Sequence, residues 1–181
     1  MHRHIMAALC LLALLAGCAT KTDEEKFQDA EKALMASVVE LTKIPAKVAL
    51  VSDPYVQGKI AVFQALEKKA AYEEGVYFMQ PIYFRELQDN YATKPDEVGT
   101  VALVNCQTKQ KGVYQGSDGK ESAAMVEDCE LTLIDRSQQA VVFKKSFEAT
   151  PEDERIAIAN SVSTQSSQTE IAAFLKGLPK K

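Results

Sequence analysis

The residues of this 181-residue chain that could do chemistry are few and unevenly placed. Its two histidines, His2 and His4, stand at the extreme start, and its four cysteines are Cys10, Cys18, Cys106 and Cys129. Past His4 there is no imidazole, which excludes Ser-His-Asp and Cys-His catalysis and every histidine-containing zinc site from the rest of the chain. The commonest general base is gone. Ser117-Asp118-Gly119-Lys120 has the S-x-x-K spacing in which a serine nucleophile meets a lysine one helical turn later. Its Gly and Asp favour a turn instead, and the companion S-D-N and K-T-G motifs are absent. Carboxylates cluster at Glu73-Glu74, Asp96-Glu97 and Glu152-Asp153-Glu154. Sequence neighbours do not face each other across a scissile bond as a glycosidase requires, and no EF-hand spacing accompanies them. These runs read as solvated charge, so no catalytic residue, metal or cofactor is expected.

Leu15-Ala16-Gly17-Cys18 closes an uninterrupted apolar run, Ile5 to Leu15, that follows a weakly basic start containing Arg3. The run is too short to cross a bilayer, which takes about 20 apolar residues, and has the form of a secretory signal. The small-small-Cys ending resembles the lipobox of bacterial lipoproteins. The resemblance implies that residues 1–17 are removed, that Cys18 becomes a lipidated N-terminus, and that residues 18–22 form a short tether to one domain spanning 23–181. Cys10 does not fit, because Leu9 precedes it where the motif has Gly, Ala or Ser. Ala19 rather than Asp after the lipidated cysteine implies the outer membrane, and the domain is expected on its periplasmic face. Two acyl chains already anchor stably, so a triacylated cysteine is a permanent membrane attachment.

Cys106 and Cys129 are then left together in an oxidising compartment, which favours a disulfide. Between them Gly116-Ser117-Asp118-Gly119 has turn chemistry, and a hairpin centred between Ser117 and Asp118 sets Cys106 directly opposite Cys129. The same register opposes Val104 to Leu131 and Ala102 to Leu133 on one face, and Val101 to Ile134 on the other. Opposed residues of antiparallel strands lie close enough for a disulfide to bridge them.

Around this hairpin the predicted elements are helices and strands in alternation. Thr22 and Glu25 have capping-box spacing, and Phe27, Ala30, Leu34, Val38 and Leu41 make an apolar stripe for a helix running to about Lys43, before Pro45. Residues 47–52 read as a buried strand, 58–64 as another, 65–74 as helix, and 76–79 and 82–84 as strand around Pro81. The aromatic cluster there, with Tyr72, reads as core filling, with a ligand groove as the alternative. Residues 100–105, 128–134 and 140–147 read as three strands of an antiparallel meander, the last two joined by Asp135-Arg136-Ser137-Gln138-Gln139. Thr150-Pro151-Glu152-Asp153 starts a helix, residues 160–169 read as loop, and Thr169-Glu170 opens a closing helix with Ile171, Phe174 and Leu175 that ends at Gly177 and Pro179. Lys180 and Lys181 read as a solvated tail. The expected fold is α+β, an antiparallel meander with N-terminal and C-terminal helices flanking it. Residues 95–100, 147–151 and 174–179 loosely resemble small uncharacterised bacterial modules, which implies no activity.

Loss of Arg3 with the signal takes the 21 basic residues to 20 against 25 acidic, a balance of −5. An acidic chain without a Lys/Arg block argues against nucleic acid and gives no electrostatic reason to bind anionic headgroups. Contact with the membrane then falls to the lipid. The expected function is a non-enzymatic binding, scaffolding or accessory subunit with an envelope protein as its partner; the alternative is a cell-wall or sugar-acting enzyme that uses carboxylates without histidine.

Overall fold

A computed structural model of the chain describes residues 21–65, 76–115, 119–149 and 165–181. The signal segment, Cys18, most of the helix expected at 65–74, the hairpin tip with Ser117, and the helix start at Thr150 lie outside the described residues.

The first helix, α1 (Asp23–Met35), begins with the expected capping box. The Glu25 backbone N–H donates to the Thr22 hydroxyl at 3.2 Å, and the Thr22 N–H donates to the Glu25 carboxylate at 2.8 Å. Phe27, Ala30 and Leu34 are buried. The helix does not run unbroken to Lys43: it stops at Met35, and a single turn, α2 (Val38–Leu41), follows. Val38 and Val39 are adjacent, so one helical face cannot bury both, and Val39 turns out to solvent.

Strands β1 (Lys47–Val48), β2 (Lys59–Ala65), β3 (Tyr77–Phe78), β4 (Val98–Gln115), β5 (Glu121–Asp135), β6 (Ala140–Phe147) and β7 (Gln165–Ser166) make one sheet. Its order is β1-β6-β5-β4-β2-β3, with β7 beside β5. Strands β4, β5 and β6 form the expected antiparallel meander, but the whole sheet is mixed. Strand β2 runs parallel to β4, β1 parallel to β6, and β7 parallel to β5. Parallel neighbours need a crossover, and the chain between β2 and β4 supplies one that includes helix α3 (Pro81–Leu87) and two 3₁₀ turns.

Of the two strand segments expected around Pro81, 76–79 holds β3, whereas 82–84 is corrected by helix α3. Proline is suited to the first helical turn, where its missing N–H costs nothing, and Tyr83 and Leu87, four apart, are buried from one face. The segment expected as a buried strand at 47–52 is also different. Only Lys47 and Val48 are strand, at the sheet edge, and Val48 and Leu50 face outward while the Ala49 and Val51 amides donate to Val141 and Val142. The loop expected at 160–169 gives up Gln165 and Ser166 to β7 and Gln168 to the closing helix α4 (Gln168–Lys176). Nor is the C-terminus a free tail: Val56 pairs with Lys180, and the Lys181 ammonium sits 3.6 Å over the Tyr55 ring.

Runs of consecutive buried residues at 60–64, 100–104 and 131–135 show that both sheet faces are covered at this end. On the face of the cysteines, α4 packs through Phe174, stacked on Phe143 at 5.6 Å and edge-on to Phe147 at 5.7 Å. Helix α3 joins α1 through Phe84, which makes edge contacts with Phe27 and Tyr91. The aromatic cluster of the middle region is core in part: Tyr83 is fully buried and Met79 nearly so, while Tyr77, Phe78 and Phe84 are half-buried. Tyr72 lies outside the described residues.

Candidate functional site

Cys106 and Cys129 are directly opposed in the β4–β5 ladder, with Cα atoms 4.0 Å apart, and are joined by a disulfide. The register from Thr100 to Gln110 is the one that the hairpin symmetry predicts. A bulge at Lys111 then shifts it by one residue toward the tip, so the cysteines lie on the unshifted side. Both cysteines are buried. The Glu127 carboxylate and the two sulfurs lie within 4.8 Å of one another, but sulfurs bonded to each other present no thiolate to a metal. Nearby, the Gln168 amide donates to Gln64 at 3.2 Å and to Glu127 at 3.4 Å. Burial, and then the Glu127 charge, push the Tyr83 phenol above its ordinary range, and its hydroxyl has no partner.

The other sequence candidates disperse. Lys120 is exposed on the hairpin and Ser117 lies outside the described residues. Asp96 is exposed, whereas Glu97 is half-buried and accepts from the Thr93 amide at 3.0 Å, the Thr93 hydroxyl at 3.1 Å and the Lys59 ammonium at 3.2 Å. Glu97 therefore staples a turn and is not free charge. Glu73-Glu74 and Glu152-Asp153-Glu154 lie outside the described residues, as does Cys18.

The turn between β5 and β6, read from sequence only as a connection, is the most elaborately built polar feature among the described residues. Asp135 is buried, and its Oδ1 accepts from the Ser137 amide (2.9 Å), the Ser137 hydroxyl (2.6 Å) and the Gln138 amide (3.2 Å). Its Oδ2 accepts from the Tyr55 hydroxyl at 2.8 Å and the Gln138 side-chain amide at 3.0 Å. Burial works against its ionised form, but the bonds from Ser137, Tyr55 and Gln138 outweigh it and hold the carboxyl below its ordinary value. Gln139 closes the turn at φ 49°, in the left-handed region. The Arg136 amide donates to the Gly99 carbonyl at 3.0 Å. The backbone of Arg136 is thereby fixed from both sides.

Its side chain lies in a cleft between this turn and the segment that runs from the end of α1 to β1. Two adjoining cavities, of about 380 and 430 Å³, share Glu40, Leu41 and Arg136 in their walls. The rest of the lining is mostly apolar, including Met35, Ile44 and Ile134. The Arg136 Nη1 is shielded from water and has no hydrogen-bond partner, an uncompensated cost for a charged donor. Most of the large exposed apolar side chains among the described residues lie on this segment: Val39 (82% exposed) and Ile44 (61%), which line the cavities, and Val48 (62%) and Leu50 (60%), which follow them in the chain. All four fall in one twelve-residue stretch, and Val48 and Leu50 flank the free side of β1. Single exposed apolar residues are ordinary, but four within so short a stretch are not. Sequence reasoning missed it because an apolar run in a connection reads as a buried strand; the signal present was Val38-Val39, two adjacent apolar residues of which a helix buries one.

Against protein-family profiles, curated proteins and solved structures, the chain matches none. The described helices include none long and apolar enough to cross a membrane.

Proposed function

We propose that the chain is an envelope lipoprotein, held on the periplasmic face of the outer membrane through acyl chains on Cys18, whose domain binds or scaffolds another envelope component without catalysing a reaction. The lipobox Leu15-Ala16-Gly17-Cys18 supports the address. The observation that carries the binding role is the exposed apolar group Val39, Ile44, Val48 and Leu50, the first two of which line the Arg136 cleft. This surface lies beyond the C-terminal end of α1, a helix of 13 residues that rises about 20 Å from its capped start. A partner reaching it meets free strand edge as well as apolar side chains, and added-strand pairing is a common mode of recognition at such edges.

The test is a photo-crosslinking amino acid placed at Leu50 in the full chain in native membranes, with exposed Ser122 on the hairpin as the comparison position. A discrete, reproducible adduct from Leu50 and not from Ser122 is the expected result. Equal or absent adducts at both positions overturn the binding role. Acyl mass on the N-terminal peptide at Cys18 checks the anchor separately.

A further inference from the structure

We infer that the Arg136 cleft binds the carboxylate head of a free fatty acid, with its apolar tail lying along Leu41, Ile44 and Ile134. The inference rests on the reading of this face as the binding surface and names what enters the cleft. Three observations converge on it. First, Arg136 lines both cavities, and one corner of its guanidinium is buried without an acceptor, so the cation has an unmet hydrogen-bonding demand. Among the described residues, no carboxylate forms an ion pair with it.

Second, the walls around that cation are mostly apolar, and the two cavities adjoin through shared residues, which gives a space in the size range of small-molecule sites. A charged head alone would leave the apolar walls wet, and an apolar ligand alone would leave the guanidinium unpaired. One molecule with both parts satisfies both. Third, the mouth is apolar, since Val39 and Ile44 line the cavities and are also exposed.

The charge balance selects the head group. Arg136 offers a planar fork that matches a carboxylate with two parallel bonds. Glu40 lines both cavities and Lys43 one of them, so with Arg136 the lining carries a single net positive charge, which a monoanionic carboxylate balances and a dianionic phosphate monoester exceeds.

Full-length lipidated protein in phosphatidylcholine nanodiscs, irradiated with a decanoic acid that carries a tail diazirine, tests this. Adducts are expected on residues 41–46, with competition by decanoate. Octanoate should compete roughly tenfold more weakly, from the two methylenes it lacks. Decyl phosphate and decyltrimethylammonium should compete poorly. Arg136→Ala should lower labelling at least tenfold at an unchanged melting temperature, and Arg136→Lys should fall between. If Arg136→Ala melts early, Ile44→Glu is the second variant; its side chain is largely exposed and outside the core, and the same loss of labelling is expected. Adducts spread over the surface, competition by the cation or the phosphate equal to decanoate, or labelling unchanged in both variants overturns the inference. A discrete Leu50 crosslink alongside failed labelling leaves the partner-binding role standing and removes only the fatty acid.

Discussion

Glu97 shows how much a single carboxylate can depart from the solvated charge that its neighbours suggest. Donation from the Thr93 amide is the largest influence on it; burial opposes, and the Lys59 ammonium and Thr93 hydroxyl add to the first effect, so that the carboxyl titrates at about 2. A carboxyl whose folded value is depressed contributes stability above its unfolded value, near 4.5, and that contribution is lost as pH falls toward 2. Glu97→Gln should therefore be less stable than wild type at neutral pH, and the difference should shrink through pH 4.5 to 2 and vanish below. Urea melts of the two proteins across that window check it, and taking the difference removes the parallel titration of Asp128 and Asp135, which are also depressed. The sequence carries Thr93 and Glu97 four apart, yet Asp96-Glu97 behind Pro95 reads as exposed charge because the 3₁₀ turn that brings them together has no periodic signature. Arg136 was hidden for a related reason. A lone cation in a turn becomes conspicuous only when its acceptors are counted.

The elements that were legible are those whose pattern is local. The capping box of α1, the three strands of the meander and the closing helix α4 each carry their own periodicity or cap. The cysteine register followed from hairpin symmetry alone. What was not legible depends on distant partners: β1 is strand only because β6 lies beside it, and the parallel pairing of β2 with β4 leaves no mark in either strand. Gly99 holds part of that pairing. It is the extra residue where the β2–β4 register shifts between Lys59 and Ile60, and a Cβ there would stand 2.2 Å from the Gln57 carbonyl oxygen. Because the obstacle is backbone, relaxation must move a strand. Gly99→Ala should cost about 1–3 kcal/mol, measured by chemical denaturation. It should also disturb Arg136, whose amide bonds the Gly99 carbonyl, so the fatty-acid labelling should weaken with it. Replacing both Cys106 and Cys129 by Ala acts on the unfolded chain instead. With 23 residues of separation, the loss should be about 3 kcal/mol on the entropic account, and the decanoate labelling should be unchanged at temperatures where the variant is folded.

At the scale of the whole molecule, the proposed anchor and the described domain constrain each other through a very short connection. The capped start of α1 follows Thr22, so residues 18–22 span at most about 18 Å even when fully extended. The domain is then confined close to the bilayer. Sorting is the part of this arrangement that a single residue tests. If Cys18 is lipidated and Ala19 directs export to the outer membrane, Ala19→Asp should retain the protein in the inner membrane with its acyl mass intact, whereas Cys18→Ala should carry no acyl mass and leave the outer-membrane fraction. Density-gradient separation of the membranes with mass spectrometry of the N-terminal peptide distinguishes the two. Oxidation of Cys106 and Cys129 serves as the internal reference. The Ala19→Asp protein still faces the periplasm, so its disulfide should be as complete as in wild type. An Ala19→Asp protein found in the outer membrane with the wild type removes the sorting role of that residue, and free thiols in the wild-type protein remove the oxidising compartment on which the whole arrangement depends.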